Sequence, residues 1–226
     1  MASGPTISPF GDAAVLVQLE DSTDVASSAA TAHALASRIR AATATLAGYG
    51  AAVAGSSSVL VHIDPTDRGT DSALALVSRI VKGFDPASAA WPATAPTLEI
   101  PVRYGGVDGP DLDEVADLTG LSRSAIVEQH ASSIYRVLFL GFAPGYAYLG
   151  PLPAGLVVPR RASPRVRVPS GSVAVAGPYT AVYPIESPGG WRILGRTAIS
   201  MWDAQRDPPA LLQPGMLVRF VPLPDA

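Results

Sequence analysis

The chain has 226 residues, 48% of them hydrophobic and 15% charged, with a formal net charge of −3; such a chain buries a substantial core, is not disordered, and has no general electrostatic affinity for nucleic acid or anionic membranes. The absence of cysteine excludes disulfides, thiolate catalysis and Cys-based zinc sites, and no metal site is expected. No apolar run approaches the roughly 20 residues of a membrane span, and the N-terminus has no basic segment followed by an apolar one, so a cytoplasmic protein without a signal peptide is expected.

Residues 13–20 alternate Val15, Val17 and Leu19 against Leu16, Gln18 and Glu20, which predicts a strand largely covered on both faces. Segment 21–24, with Asp21 and Asp24, supplies turn and N-cap chemistry for a long helix reaching about Leu46. Its apolar stripe runs through Ala32, Leu35, Ile39, Ala42 and Leu46, and Gly48 closes it. Two short strands, 51–54 and 58–63, precede a second helix over about 71–84 with Leu74, Val77, Val81 and Phe84 on one face. The order β-α-β-β-α predicts an α/β sandwich resembling half of a ferredoxin-like fold. Pro86, Pro92 and Pro96 then mark a boundary, with Trp91 pinning the segment to a domain surface, and divide the chain into 1–90 and 91–226.

After a strand over 97–103, the loop Gly105-Gly106-Val107-Asp108-Gly109-Pro110 opens a helix at Asp111. A glycine-rich loop before a helix can cradle phosphate. This one lacks the Walker lysine and serine, and Asp108, Asp111 and Asp113 repel phosphate, so a plain turn is expected. Asp111-x-x-Glu114 predicts a capping box on a short helix ending at Gly120; Ser122 caps another through His130, with Leu121 and Ile126 as its hydrophobic staple. Ala116, Gly120 and Ile126 also fall where a helix-turn-helix places them. With Arg123 beside Glu128, the second helix has too little positive charge for phosphate contacts, and DNA binding is not expected.

The most informative stretch is Phe139-Leu140-Gly141-Phe142-Ala143-Pro144-Gly145-Tyr146-Ala147-Tyr148-Leu149-Gly150, entered by a strand over 135–140. Pro144-Gly145 signals a turn, and Phe142, Tyr146 and Tyr148 present rings along an irregular loop. This is either an aromatic-packed turn or a pocket wall that admits a small ligand close to the backbone. Downstream, Arg160, Arg161, Arg165 and Arg167 alternate with prolines, and because Lys82 is the one lysine, basic contacts to anions fall almost entirely to arginine. If Val166 and Val168 face inward, Arg165 and Arg167 share the opposite side. The run is then an edge strand blunted by charge or a bidentate clamp for a carboxylate or other anion. Short strands at 172–176, 179–183, 191–194 and 216–221, punctuated by glycine and proline, predict a closed or nearly closed β structure.

Motifs along the whole chain now accumulate: Phe10-Gly11-Asp12-Ala13-Ala14-Val15; Ile100-Pro101-Val102 with Tyr104-Gly105-Gly106 and Gly109-Pro110-Asp111-Leu112; His130 with Ser132-Ser133; the 139–150 stretch; Pro159-Arg160-Arg161 with Pro164-Arg165; Val168-Pro169 with Gly171-Ser172; Tyr183-Pro184; and Pro188-Gly189-Gly190-Trp191 with Gly195 and Thr197. In this order they resemble the carboxyltransferase-domain subunit 1 family, which includes the B subunit of ATP-dependent 5-oxoprolinase, allophanate hydrolase subunit 1-like proteins and a sporulation-kinase inhibitor. The resemblance implies an α+β N-terminal domain (ferredoxin-like) followed by a cyclophilin-like β-barrel domain. It implies two partners, the C subunit (carboxyltransferase-domain subunit 2) and the A subunit of the same enzyme. With them 5-oxo-L-proline would be cleaved to L-glutamate with ATP hydrolysis, the ATP and its Mg lying at a site shared with or belonging to a partner.

On that reading His130, the one histidine of the barrel half, suits proton transfer, against the alternative of a histidine that merely ends a helix. Arg161 and Arg165 would hold the substrate carboxylate or the transferring phosphoryl group. Gly141, Phe142, Gly145 and Tyr148 would shape the pocket, with Ser170 and Tyr183 as further contacts. His33 and His62 are expected to be structural. Two other functions are compatible with the family: an allophanate or urea-pathway amidohydrolase subunit, and a histidine-kinase inhibitor that is not an enzyme.

Overall fold

Val15 and Val17, two residues apart and fully buried, fix the first sheet, because alternate side chains of a strand point to the same face. The computed structural model describes residues 4–20, 22–67 and 69–224, so Asp21 of the expected turn lies outside the described residues. Two units make up the chain, Met1–Trp91 and Pro92–Ala226. The first contains β1 (Thr6–Pro9), β2 (Ala14–Gln18), α1 (Val25–Thr43), β3 (Tyr49–Ala54), β4 (Ser58–Ile63) and α2 (Thr70–Lys82). Its sheet is antiparallel with order β1-β2-β4-β3. Strand β1 has little apolar content and no signal in the sequence pattern; it is held by its ladder to β2.

The core of this unit is Val15, Val17, Val59 and Val61 of the sheet against Ala32, Leu35, Ala36 and Ile39 of α1 and Ala73, Val77, Ile80 and Val81 of α2. Each fully buried valine, leucine or isoleucine contributes about 1.5–3 kcal/mol. Leu16 and Leu60 on the other face are only half-buried, so β2 is not covered on both sides. Helix α1 also ends sooner than its stripe suggests: Ala42 and Leu46 are exposed and Thr43, its hydroxyl bonded back to the Ile39 carbonyl, takes the buried position. Asp24 caps the helix by accepting from the amides of Ala26 and Ser27. Trp91 Nε1 donates to the Ala26 carbonyl at 3.0 Å.

The second unit contains β5 (Thr97–Tyr104), α3 (Leu112–Thr119), α4 (Arg123–Ser132), β6 (Tyr135–Leu140), β7 (Ala147–Gly150), β8 (Arg165–Val168), β9 (Ser172–Ala176), β10 (Tyr179–Val182), β11 (Ser187–Gly189), β12 (Arg192–Arg196) and β13 (Leu217–Pro222). Seven strands close a barrel in the order β10-β7-β6-β13-β5-β12-β9, and β8 pairs with β11 in a separate two-stranded sheet. The barrel is antiparallel except at β13 and β5, which run parallel from Leu217 beside Thr97 to Pro222 beside Val102.

Every residue of β9 is buried. Val173 and Val175 join Ile100, Val137, Leu149 and Phe220 in the barrel core. Ala174 and Ala176 face the other way, into a second cluster with Tyr146, Tyr183, Trp191, Ile193 and Val168 of β8. This second apolar layer makes one wall of the barrel buried on both faces. It also corrects the reading of 139–150 as one irregular loop: β6 and β7 form a hairpin in which Leu140 opposes Ala147 and Phe139 opposes Tyr148, leaving only 141–146 as the connection.

Candidate functional site

Asp111 has the sequence position of a cap for α3, yet its side chain makes no capping bond. Buried to 2% exposure, it accepts from Arg165 Nη1 at 2.8 Å and Nη2 at 2.6 Å, from Arg161 Nη1 at 3.1 Å, and from the backbone amide of Ile193 at 2.7 Å. Glu114, the other half of the expected capping box, accepts from Arg161 at 2.7 Å and from Arg192 at 3.1 Å. A desolvated carboxylate recruits the strongest donors within reach, and two guanidinium groups outcompete a helix amide. Arg165 and Arg161 therefore do not stand free as an anion clamp. Arg165 has closed its fork on Asp111, and Arg161 Nη1 is shared between two carboxylates. The same pull sets β8: Arg165 is drawn inward, while Val166, expected to face in, is 83% exposed.

His130, expected to suit proton transfer, lies in the interior of the barrel. It is fully buried in the barrel, its ring stacked on Phe220 at 4.6 Å. Nε2 lies 2.9 Å from Thr180 Oγ1 and Nδ1 lies 2.7 Å from the Tyr104 hydroxyl. The Thr180 hydroxyl spends its proton on the Ala174 carbonyl, 3.1 Å away. The Thr180 oxygen is thus an acceptor for His130, which places the imidazole proton on Nε2 and leaves Nδ1 to accept from Tyr104. Burial holds the ring neutral, pushing its pKa down to about 3. A neutral, two-bonded ring without solvent contact positions the barrel and is poorly placed for proton transfer to a ligand.

The rings of the central hairpin converge instead on the outer face of the barrel. Tyr146 and Tyr183 meet edge to face at 5.3 Å, and Trp191 approaches Tyr146 at 5.9 Å and Tyr148 at 5.6 Å. Tyr148 stacks on Phe139 at 4.3 Å, and Tyr179 closes against both. Phe142 caps the cluster, 5.1 Å from Tyr146 and 6.4 Å from Tyr183. It is 63% exposed with φ of 69°, a left-handed conformation that strains a bulky residue by roughly 1–3 kcal/mol. Gly145 follows with φ of 78°, and a Cβ there would lie 2.9 Å from Trp202 Cβ, so the turn requires glycine. Gly141 sits at the exposed start of the turn, its amide bonded to the Tyr146 carbonyl.

Desolvation raises the phenol pKa values of Tyr146, Tyr148 and Tyr183, with the guanidinium of exposed Arg160 opposing the shift in each. The phenols are therefore neutral hydrogen-bonding groups. The rings meet mostly edge to face, and Tyr146, Tyr183 and Trp191 are buried, so the cluster presents to solvent the ring of Phe142, a half-buried Tyr148 and, nearby, the exposed Arg160. The structure thus brings together Phe142, Gly145, Tyr148 and Tyr183 of the expected residues, with Gly141 alongside. It adds Tyr146, Trp191 and Arg160, which sequence reasoning does not single out as site residues. Tyr146 and Trp191 stand in quoted motifs, but their convergence depends on strands far apart in the chain.

Ser170 belongs elsewhere. Its hydroxyl donates to the Pro184 carbonyl, its own carbonyl accepts from Arg196 Nε at 3.0 Å, and it lines a cavity of about 520 Å³ with Arg103, Gly171 and Thr197. The glycine-rich loop is a turn: the amides of Gly105, Gly109 and Asp111 are spent on the carbonyls of Leu194, Gly105 and Ile193. A Cβ on Gly109 would overlap the Leu194 carbonyl oxygen, so that glycine serves close packing on β12. The loop is thus the plain turn expected from its sequence.

The described residues thus form a seven-stranded barrel preceded in the chain by a separate α+β unit. The chain belongs to the family described as carboxyltransferase domain, subdomain C and D, whose model matches residues 5–212. It is 51% identical over 150 residues to the 5-oxoprolinase B subunit of Escherichia coli O157:H7, covering 66% of this chain and 68% of that protein. It is 47% identical over 124 residues to the 5-oxoprolinase B subunit of Bacillus subtilis (strain 168), covering 55% and 52%. The matched segments thus span about half to two thirds of these relatives' length. Among solved structures, urea amidolyase of K. lactis shares the fold, with a TM-score of 0.82 at 22% identity over 97% of this chain and 15% of that one.

Proposed function

We propose that this chain is a subunit of an ATP-dependent 5-oxoprolinase that hydrolyses the cyclic amide of 5-oxo-L-proline to give L-glutamate, acting in the cytoplasm with the A and C subunits as partners. The observation that carries the reading is the 51% identity to a 5-oxoprolinase B subunit. Likeness to urea amidolyase at 22% identity speaks for the fold alone, and neither the urea-pathway reading nor that of a kinase inhibitor is favoured by the relatives. In this account the first unit is ferredoxin-like, with β1 supplying the edge strand from the N-terminal side, the second is a cyclophilin-like barrel, and the domains divide as 1–90 and 91–226.

A five-membered lactam is a stable amide, and ATP would supply the activation of its carbonyl. ATP and its Mg would lie at a site shared with or belonging to a partner subunit. The contribution of this chain is an apolar surface: the exposed ring of Phe142 beside half-buried Tyr148, with buried Tyr183 packed against Phe142, gives a small ring something to lie on. Phenols held neutral by burial can donate hydrogen bonds without giving up their protons, and a partner seated over Phe142 would exclude water. The test is co-expression. The chain together with the A and C subunits should cleave ATP in a 5-oxoproline-dependent manner, and the chain alone should not; activity with urea or allophanate and none with 5-oxoproline would overturn the reading.

A further inference from the structure

Arg103 of β5 and Arg196 of β12 stand directly opposite each other in an antiparallel ladder. Directly opposed residues project from the same face, and like charges there are destabilising by roughly 0.2–1 kcal/mol. Both side chains are exposed and neither forms an ion pair among the described residues. That sets them apart from Arg123, Arg161, Arg165, Arg167, Arg192 and Arg219, each of which is paired with a carboxylate. Arg196 donates Nε to the Ser170 carbonyl, which fixes its direction and leaves its two terminal nitrogens to give.

The two arginines line the cavity of about 520 Å³ together with Asp108, Ser170, Gly171 and Thr197. That volume lies within the range of small-molecule sites, roughly 300–1,000 Å³. Thr197, 5% exposed, already accepts from the Ile199 amide at 3.2 Å, so its hydroxyl proton remains available. Arg206 Nη2 approaches the carbonyl of Ser200, a lining residue, at 3.5 Å, and its buried Nη1 has no hydrogen-bond partner among the described residues. Asp108 is the one carboxylate on the lining, so two arginines and one aspartate leave a net charge of +1 there.

We propose that this cavity is an oxyanion-binding site, in which Arg103 and Arg196 together hold a carboxylate or phosphate group of a small ligand and Thr197 donates a further hydrogen bond. A bound oxyanion would relieve the repulsion between these two opposed cations. Asp108 accepts an N–H from the same ligand, so a small acid carrying an amide or amine next to its carboxylate fits best. The site is separate from the aromatic cluster and does not rest on the 5-oxoprolinase reading, because it is tested on the full chain without partners.

Isothermal titration calorimetry of the full chain at low ionic strength, with inorganic phosphate and separately with 5-oxo-L-proline, tests it. Saturable binding of at least one probe is expected; phosphate alone would mark a phosphoryl subsite and 5-oxo-L-proline alone a carboxylate subsite. Arg103→Gln and Arg196→Gln should each weaken binding about tenfold or more, the worth of a charged hydrogen bond, whereas Arg219→Gln, at an exposed ion pair with Glu99, should leave it unchanged. Amide shifts of Gly171 and Thr197 on titrating the unsubstituted chain give a readout that needs no variant. The proposal is overturned if neither probe saturates, if binding is the same in both glutamine variants as in the unsubstituted chain, or if the shifts map away from Gly171 and Thr197.

Discussion

Arg165 closes both terminal nitrogens on Asp111 across 54 residues of chain, at 2.8 Å and 2.6 Å. With Arg161 and the Ile193 amide on the same carboxylate, this contact ties the start of α3 to β8 and β12. Asp111→Ala leaves the half-buried Arg165 guanidinium without its counter-charge, while Arg161 keeps Glu114, and losing one partner of a buried pair costs about 3–5 kcal/mol. Urea denaturation should show a loss of that order, and Arg165→Lys, which cannot reproduce the bidentate fork, should lose part of it. An unchanged midpoint for Asp111→Ala would remove the network from any account of this fold.

His130 gives the barrel a pH dependence whose sign follows from its depressed pKa. Unfolded, the ring takes up a proton near its ordinary value of 6.5; folded, it resists protonation down to about 3. The unfolded state therefore binds more protons between those values, and stability falls as pH drops through that window, by up to about 1.4 kcal/mol per pH unit for one proton. His130→Gln cannot take up that proton. Its stability, measured from pH 7 to pH 4, should fall less steeply than that of the unsubstituted chain. Carboxylates common to both proteins cancel in the difference, so equal slopes would show that the ring is not held neutral.

Phe142 separates stability from function. Its ring is exposed and its backbone strained, so Phe142→Gly should hold or raise stability by roughly 1 kcal/mol. The activity of the assembled enzyme should fall about fivefold to tenfold, the worth of one aromatic contact. A variant that melts early with unchanged activity would make Phe142 a packing residue.

Gly109 tests the reading of the glycine-rich loop. Because a Cβ there meets the Leu194 backbone, which cannot yield cheaply, Gly109→Ala should destabilise by about 2–3 kcal/mol. Gly106→Ala, with open space around its Cβ position but φ of 53°, should cost less, near ~1 kcal/mol. Comparable melting of both variants would show that conformation, not close packing, dictates the loop.

Local physics was legible from the sequence. Ser122 caps α4 through the Ala125 amide, Val77 and Val81 face the core of the first unit, and the glycine-punctuated strands close into a barrel. What escaped was non-local. The capping box at Asp111 has the right spacing, yet its carboxylate is captured by arginines 50 and 54 residues away. Val166 obeys strand alternation on paper, but β8 pairs only with β11, through a register shift, and lies outside the barrel. The facing residues Arg103 and Arg196 become neighbours only through the β5–β12 ladder. The chemistry of His130 is plain from its residue type, whereas burial decides its protonation.

The most direct test of the central claim is ATP cleavage by the purified chain, alone and co-expressed with the A and C subunits, with and without 5-oxo-L-proline. The account predicts no turnover from the chain alone and 5-oxoproline-dependent ATP cleavage with L-glutamate formed from the assembly. An assembly that cleaves no ATP with 5-oxo-L-proline, or an equally active assembly lacking this chain, would contradict it.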